Sequence, residues 1–285
     1  MTSPARRLQS LLTEPGLLLM AGCHDAISAK QVEATGFAAT FMSGFAVAAA
    51  RLGLPDTGLI SYGELVEQGR AICQAVKIPV FGDGDTGFGN AINVKRTVAG
   101  YAQAGFACVM IEDQAAPKRC GHTQGKAVVG RDEALTRIQA ACDARDAGAD
   151  ILILARTDAR ATDGLDEAIS RCRLFREIGA DISFLEAPES AEEMRRYCAE
   201  VDGPKMANLI EHGRTPVLPV AELEAIGYKI AVYPLTLLSA SIYAMREALA
   251  SLRRGERPTG QLDFEELKAA VGFPAYYAEE KRYKS

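Results

Sequence analysis

Nine residues, Lys118-Arg119-Cys120-Gly121-His122-Thr123-Gln124-Gly125-Lys126, gather a thiol, an imidazole and three cations shortly after an apolar run that ends in Glu112-Asp113. Flanking cations favour a thiolate, so the Cys120 thiol is expected to ionise below the free value of about 8.5. Glycines at 121 and 125 let the backbone turn sharply or move. The competing reading is a solvated basic loop that happens to carry a cysteine. His122 can join the same cluster, although a Cys-His pair is defined by geometry and not by spacing.

A second stretch, Gly82-Asp83-Gly84-Asp85-Thr86-Gly87, formally matches the dinucleotide fingerprint. Two carboxylates inside that loop would repel a pyrophosphate, and the match follows the third apolar run instead of the first. An EF-hand fails too, because Gly87 and Val94 fall on its fifth and twelfth ligand positions. The Asp-x-Asp pair suits Mg2+, which takes one or two carboxylates and completes its octahedron with water and substrate oxygens. Glu112 and Asp56 are available to hold those waters. The alternative is an ordinary polar turn. Arg156 ends a very apolar run, where its charge needs an anion: a substrate carboxylate or a neighbouring acidic side chain.

Such groups have to be positioned by something. Apolar runs occur at residues 17–21, 39–43, 80–83, 108–111, 151–155, 182–185, 205–209 and 230–233. Between most of them lie segments with apolar residues three and four apart, at 26–33, 62–76, 91–104, 131–147, 166–178, 191–200 and 220–226, after a short helix over 5–12. Glycines 36, 105, 148, 179 and 227 stand where helices should end, and Ser61 and Asp166 are the expected N-caps. Eight doubly buried strands, each followed by a helix, predict a (β/α)8 TIM barrel, with an open doubly wound sheet as runner-up. Polar residues follow the runs: Cys23-His24-Asp25, Ser43-Gly44, Asp83-Gly84-Asp85, Glu112-Asp113, Arg156-Thr157-Asp158, Glu186, and Asn208 with Glu211-His212. In a barrel these ends share one face, the active-site face. His24 and His212 are read as cap or packing residues.

The barrel is expected over residues 1–250. Residues 251–285 follow as a linker, a helix over 262–271 and an aromatic tail (Phe273, Tyr276, Tyr277, Tyr283) that should dock on the barrel or on another subunit. The 285 residues carry a net charge of −5, which gives no electrostatic reason to expect nucleic acid or an anionic membrane. No apolar run has membrane-spanning length. Residues 1–13 lack the order of a signal peptide, and seven scattered cysteines without a Cys-x-x-Cys suit reduced thiols in a cytoplasm.

Over nearly its whole length the chain resembles the isocitrate lyase and phosphoenolpyruvate mutase superfamily, in its short methylisocitrate-lyase-like branch. The resemblance rests on Ser43-Gly44, Gly53-Leu54-Pro55-Asp56, Asp83 to Gly89, Ile111-Glu112-Asp113-Gln114, Ala155-Arg156-Thr157-Asp158, Glu186-Ala187, Ala207-Asn208 and Tyr233-Pro234. Its most specific element is Lys118-Arg119-Cys120-Gly121-His122, the lyase signature. It implies a barrel whose last helix swaps between subunits, commonly in tetramers, and Mg2+, or Mn2+ in its place, held by Asp85 with Asp83, Asp56 and Glu112 acting through water. It further implies a substrate pocket formed by Phe41, Ser43, Gly44, Phe45, Gly121, Arg156, Glu186, Asn208 and Pro234. Catalytic roles would fall to Cys120, Lys118, His122, Asp56 and Arg156, with Cys120 protonating the carbanion-like product from a mobile gating loop.

The implied reaction cleaves a C–C bond in a small 2-hydroxy dicarboxylate to give a 2-oxo acid, pyruvate or glyoxylate, and a carboxylate. Phe45 stands where methylisocitrate lyases usually have glycine, and the serine-rich segment of isocitrate lyases is absent after Asn208. Both departures point to a 2-alkylmalate-type substrate, as in 2,3-dimethylmalate lyase. Oxaloacetate hydrolysis and phosphonate-forming mutase chemistry are the alternatives within the superfamily, and a non-catalytic binding barrel is the alternative outside it.

Overall fold

The computed structural model describes residues 2–123 and 125–284, so Gln124 of the basic stretch lies outside it. Eight strands form one parallel sheet: β1 (Leu18–Cys23), β2 (Thr40–Met42), β3 (Val80–Asp83), β4 (Cys108–Glu112), β5 (Leu152–Thr157), β6 (Ile182–Leu185), β7 (Met206–Asn208) and β8 (Ile230–Tyr233). Their order is β6-β5-β4-β3-β2-β1-β8-β7, and a parallel bridge between Ser183 and Lys205 brings β6 against β7. The sheet thus nearly closes on itself, and the chain is a (β/α)8 TIM barrel.

The helices are α1 (Pro4–Thr13), α2 (Ala26–Ala34), α3 (Gly44–Leu52), α4 (Tyr62–Ala75), α5 (Ala91–Ala104), α6 (Arg131–Asp146), α7 (Leu165–Ile178), α8 (Ala191–Glu200), α9 (Val220–Ile226), α10 (Thr236–Arg253), α11 (Phe264–Val271) and α12 (Phe273–Lys281). The chain divides into two units between Leu237 and Leu238. The first is the barrel; the second comprises most of α10 with α11 and α12, and neither α11 nor α12 buries a residue. Among the described residues no helix is long and apolar enough to cross a membrane.

Strand alternation builds two kinds of core. Leu18, Met20, Phe41, Phe81, Met110, Leu154, Phe184, Met206 and Val232 share one buried cluster, the barrel interior. Intervening residues such as Val109, Ile111, Ile153 and Ala155 pack outward against helices. Leu8 of α1 joins the inner cluster beside the strand beginnings, so α1 covers that end of the barrel.

The expected helix ends hold at the glycines: Gly36, Gly105, Gly148, Gly179 and Gly227 all have φ between 92° and 115°. Ser61 caps α4 in a capping box with Glu64. Asp166 is not an N-cap. Gly164 occupies that position, and Asp166 lies in the first turn of α7, where its charge suits the helix dipole and meets Arg196 at 2.5 Å. Helices α3, α10 and α12 escape the periodicity argument. In α3 the run Gly44-Phe45-Ala46-Val47-Ala48-Ala49-Ala50 is apolar all round and buries Gly44, Ala46, Val47 and Ala48, which leaves no amphipathic stripe to read.

Candidate active site

The inward phase of each strand continues past its apolar residues into polar ones. Asp83 follows Phe81, Glu112 follows Met110, Arg156 follows Leu154, Glu186 follows Phe184 and Asn208 follows Met206. All project at the C-terminal end of the barrel, and Asp83, Glu112, Arg156 and Glu186 are buried. Such burial is stable only if each charge finds partners.

On the β3 side, Asp83 accepts hydrogen bonds from the backbone N–H groups of Gly44 (3.1 Å) and Asp85 (3.1 Å). Gly44 must lack a side chain, since a Cβ there would lie 2.6 Å from Asp83 Oδ2. Asp85 turns through φ 46°, a region a non-glycine residue enters at some cost and that clusters at functional sites. The Lys118 ammonium reaches in from the loop to Asp56 Oδ1 (2.5 Å) and Asp85 Oδ1 (2.7 Å). Burial pushes the Asp85 carboxyl up to about 7, with Lys118 opposing the rise and Asp83 and Asp56 adding to it. Burial also works against the Lys118 charge, but the surrounding carboxylates outweigh it and hold the ammonium protonated.

Around β5, Arg156 binds Asp158 through Nε (2.8 Å) and Nη2 (3.0 Å), with Glu112 at 3.3 Å and Glu186 at 3.9 Å. Its guanidinium lies over the Phe184 ring. In this state the acidic-neighbour reading of Arg156 therefore applies. Burial raises the Glu112 carboxyl well above its ordinary range despite Arg156. For Asp158 the opposite holds: Arg156 and Lys126 overcome burial and hold it at about 2. Asn208 donates to both Glu186 oxygens at 3.3 Å, while its own Oδ1, like Glu112 Oε1, is buried without a hydrogen-bond partner.

The basic stretch is not a solvated loop. Lys118 is buried, and Gly121 approaches so closely that a Cβ would sit 2.4 Å from Arg156 Nη2 and 2.2 Å from Glu186 Oε1. His122 accepts from the Arg214 backbone N–H at Nδ1 (3.1 Å), which assigns the ring proton to Nε2, 3.0 Å from Glu186 Oε1. His122 is thus committed to Glu186 and to the loop after β7, with no nitrogen left for a Cys-His pair. The expected lowering of the Cys120 pKa is overturned. Burial pushes the thiol up to about 11, with Glu186 and Asp56 adding to the rise and the His122 backbone hydrogen bond and Arg156 opposing it.

The structure brings the expected residues to one place. Phe41, Ser43, Phe45 and Pro234 line a pocket with Asp56, Asp83, Lys118, Cys120 and Gly121, and Arg156, Glu186 and Asn208 complete its wall. Gly44, Asp85, Glu112 and His122 stand directly behind, each bonded or ion-paired to a member of that wall or to Lys118. With the loop in this position the cavity measures only about 40 Å³, room for a few waters at about 10–15 Å³ each. His24 is buried outside this wall, and His212 neither caps nor packs: it is exposed in a turn at φ 63°. Sequence reasoning missed the apolar floor of Met110, Phe184, Met206 and Val232, which strand alternation would have given. It also left Lys126 and Asp158 out of the site, although their ion pair at 2.9 Å is almost wholly buried.

Among the described residues no three His, Cys, Asp or Glu side chains converge as a metal cage. That agrees with the donor set Mg2+ prefers, in which one or two carboxylates are supplemented by water and substrate oxygens. Charge agrees as well. Asp56, Asp83 and Asp85 are buried together around the Lys118 ammonium, and the mutual repulsion that helps raise the Asp85 carboxyl is what a divalent cation would relieve. Asp85, with Asp83 beside it, fits as the group that would hold it.

Residues 8–253 match the phosphoenolpyruvate phosphomutase family model. The chain is 41% identical to a 2,3-dimethylmalate lyase of Eubacterium barkeri over 98% of both chains. It is 40% identical to the chloroplastic carboxyvinyl-carboxyphosphonate phosphorylmutase of Arabidopsis thaliana, over 100% of this chain and 87% of the relative. A crystal structure of 2,3-dimethylmalate lyase, described as a PEP mutase/isocitrate lyase superfamily member, superposes with a TM-score of 0.94 at 34% identity, covering 100% of this chain and 97% of that one. Phosphonopyruvate hydrolase in complex with oxalate and Mg2+ superposes at 0.88 with 30% identity over 99% of each chain.

Proposed function

The chain belongs to the phosphoenolpyruvate mutase and isocitrate lyase superfamily, and from that premise we propose that it is a carbon–carbon lyase for a 2-alkylmalate-type 2-hydroxy dicarboxylate. The observation that carries the reading is the Cys120 thiol, half-buried in the pocket wall and held protonated beside Arg156, Glu186 and Asp56 by a loop that covers the pocket. A neutral thiol enclosed there is a proton donor awaiting a basic carbon.

The substrate's 2-oxo acid half would lie against Ser43, Gly44 and Asp85, and its other carboxylate against Arg156 and Asn208. Asp85 would hold Mg2+, or Mn2+ in its place, and such an ion would supply positive charge to oxygens that become more negative as the bond breaks. Asp56 takes the hydroxyl proton, and the C2–C3 bond breaks with its electron pair passing to the departing carboxylate fragment. Arg156 and Lys118 face that developing charge. The Cys120 S–H then gives its proton to the fragment's carbon, yielding the carboxylate product, and the thiolate recovers a proton as the loop opens. Closure excludes water from the carbanion-like species.

Mg2+-dependent release of pyruvate or glyoxylate from a panel of substituted malates tests this reading, and no release from any of them would end it. The mutase reading, favoured by the similarity to the Arabidopsis enzyme, is separated by the same panel, because phosphoryl transfer frees no 2-oxo acid from a malate. We further propose a tetramer in which the C-terminal helices exchange between subunits. Phe264 is 72% and Tyr276 62% exposed on helices that bury nothing of their own, which supports cover by another subunit. Seven unpaired thiols support a cytoplasmic setting.

A further inference from the structure

Lys126 lies at the far end of the covering loop. Directly beyond it the chain is pinned to the barrel: Ala115 N–H bonds the Ala127 carbonyl (2.8 Å), and Val129 N–H bonds that of Asp113 (2.9 Å). At the near end, the Gln114 side chain clasps both the N–H and the carbonyl of Arg119 at 2.8 Å. Between these anchors the loop has to be held down over the pocket. The Lys126 ammonium bonds Asp158 Oδ1 at 2.9 Å and also donates to the Gly121 carbonyl. Its side chain is 2% exposed and that of Asp158 0%. An ammonium has three donors and a large desolvation penalty, so this degree of burial persists only where its partners are fixed.

Asp158 is such a fixed partner. Its backbone N–H bonds Asp113 Oδ1 (2.9 Å), and Asp113 is itself held by the Thr157 hydroxyl (2.6 Å) and Arg171 (2.9 Å). Asp158 also carries both hydrogen bonds from Arg156. One carboxylate thus joins the cation that faces the substrate to the cation that grips the loop.

We propose that Lys126 is a positioning residue, a latch that ties the Gly121 carbonyl to Asp158 and thereby fixes Cys120 over the pocket. The proposal rests on the gating role given to the loop above, and it adds the element that holds the closed form. When Lys126 engages Asp158, the carboxylate is shared between two cations, and Arg156 is less tightly claimed and freer to meet a substrate carboxylate. Closure and substrate binding then favour one another.

The test is the rate at which iodoacetamide alkylates Cys120, read by mass spectrometry, with and without Mg2+ plus oxalate, a small planar dianion that fits the 2-oxo acid position. In the wild type these additions should slow alkylation by at least about tenfold. Lys126→Met, which leaves Asp158 still paired with Arg156, should lose most of that protection. Its kcat should fall on the order of 10²-fold, the effect of misplacing a reacting group by about 1 Å, with KM changed far less. Lys126→Gln keeps two N–H donors near the same place and should fall between the two, with all three proteins melting within a few degrees of one another. Wild-type-like protection in both variants would overturn the latch while leaving the gating loop intact. Loss of protection that merely tracks a falling melting temperature would overturn it as well. No protection in the wild type would remove the gating reading and the latch together.

Discussion

Lys118 holds its ammonium 2.7 Å from Asp85 Oδ1, so a loop residue neutralises the carboxylate best suited to hold a divalent cation. Asp85→Ala should therefore abolish turnover at any practical Mg2+ concentration. Asp83 works through the N–H groups of Gly44 and Asp85, and Asp83→Asn keeps one acceptor oxygen for them. Its activity should be partly restored by excess metal, and calorimetric Mg2+ affinity should fall less than for Asp85→Ala. Equal, unrescued losses would contradict this division of labour.

Cys120→Ser replaces a thiol acid by a hydroxyl that ionises far less readily. General acid catalysis contributes about 10²–10⁴-fold, so kcat should drop by that order while oxalate affinity and melting temperature stay near wild type. A variant within threefold of wild type on the best substrate would place the acid elsewhere.

The same thiol predicts a pH dependence of closure. Its pKa is about 11 in the covered site against an ordinary 9.0. Between those values the closed form holds more proton than the open one, so its advantage is complete below pH 9 and is lost as pH rises through the shifted value. Binding of oxalate with Mg2+ should weaken about tenfold by pH 10 relative to neutral pH, since one unit corresponds to a factor of ten. Cys120→Ser should show no such decline; an equal decline in both proteins would assign the effect to another group.

Phe45 lines the pocket beside Phe41 and Pro234. Removing its ring by Phe45→Gly should raise kcat/KM for 2-methylisocitrate relative to 2,3-dimethylmalate by about tenfold or more, the scale of hydrophobic pocket discrimination. An unchanged ratio would detach Phe45 from substrate choice.

What could be read in advance follows the physics of each element. The strand phases Phe81-Asp83, Met110-Glu112 and Leu154-Arg156 carry their direction in the sequence, because alternate residues share a face. The barrel itself was legible from eight apolar runs, most of them followed by a helical segment, and the convergence of Asp83, Glu112 and Arg156 from their place at the ends of those runs. Helix α3 was not legible, since an all-apolar segment has no period. Cys120 misled for a different reason. Its pKa depends on burial and on Glu186, Arg156 and Asp56, all of which lie dozens of residues away in the chain. Lys126 and Asp158 were visible as residues but not as a pair, 32 positions apart.

The cavity under the loop measures about 40 Å³ in the covered state, room for a few waters. On the gating role proposed for that loop, ligand enters after the loop lifts, and the opening step precedes capture. In a stopped-flow experiment the observed binding rate should rise with ligand concentration and then level off at the opening rate, however much ligand is supplied. The plateau belongs to the protein and not to the ligand, so unrelated dianions should share it even where their affinities differ widely.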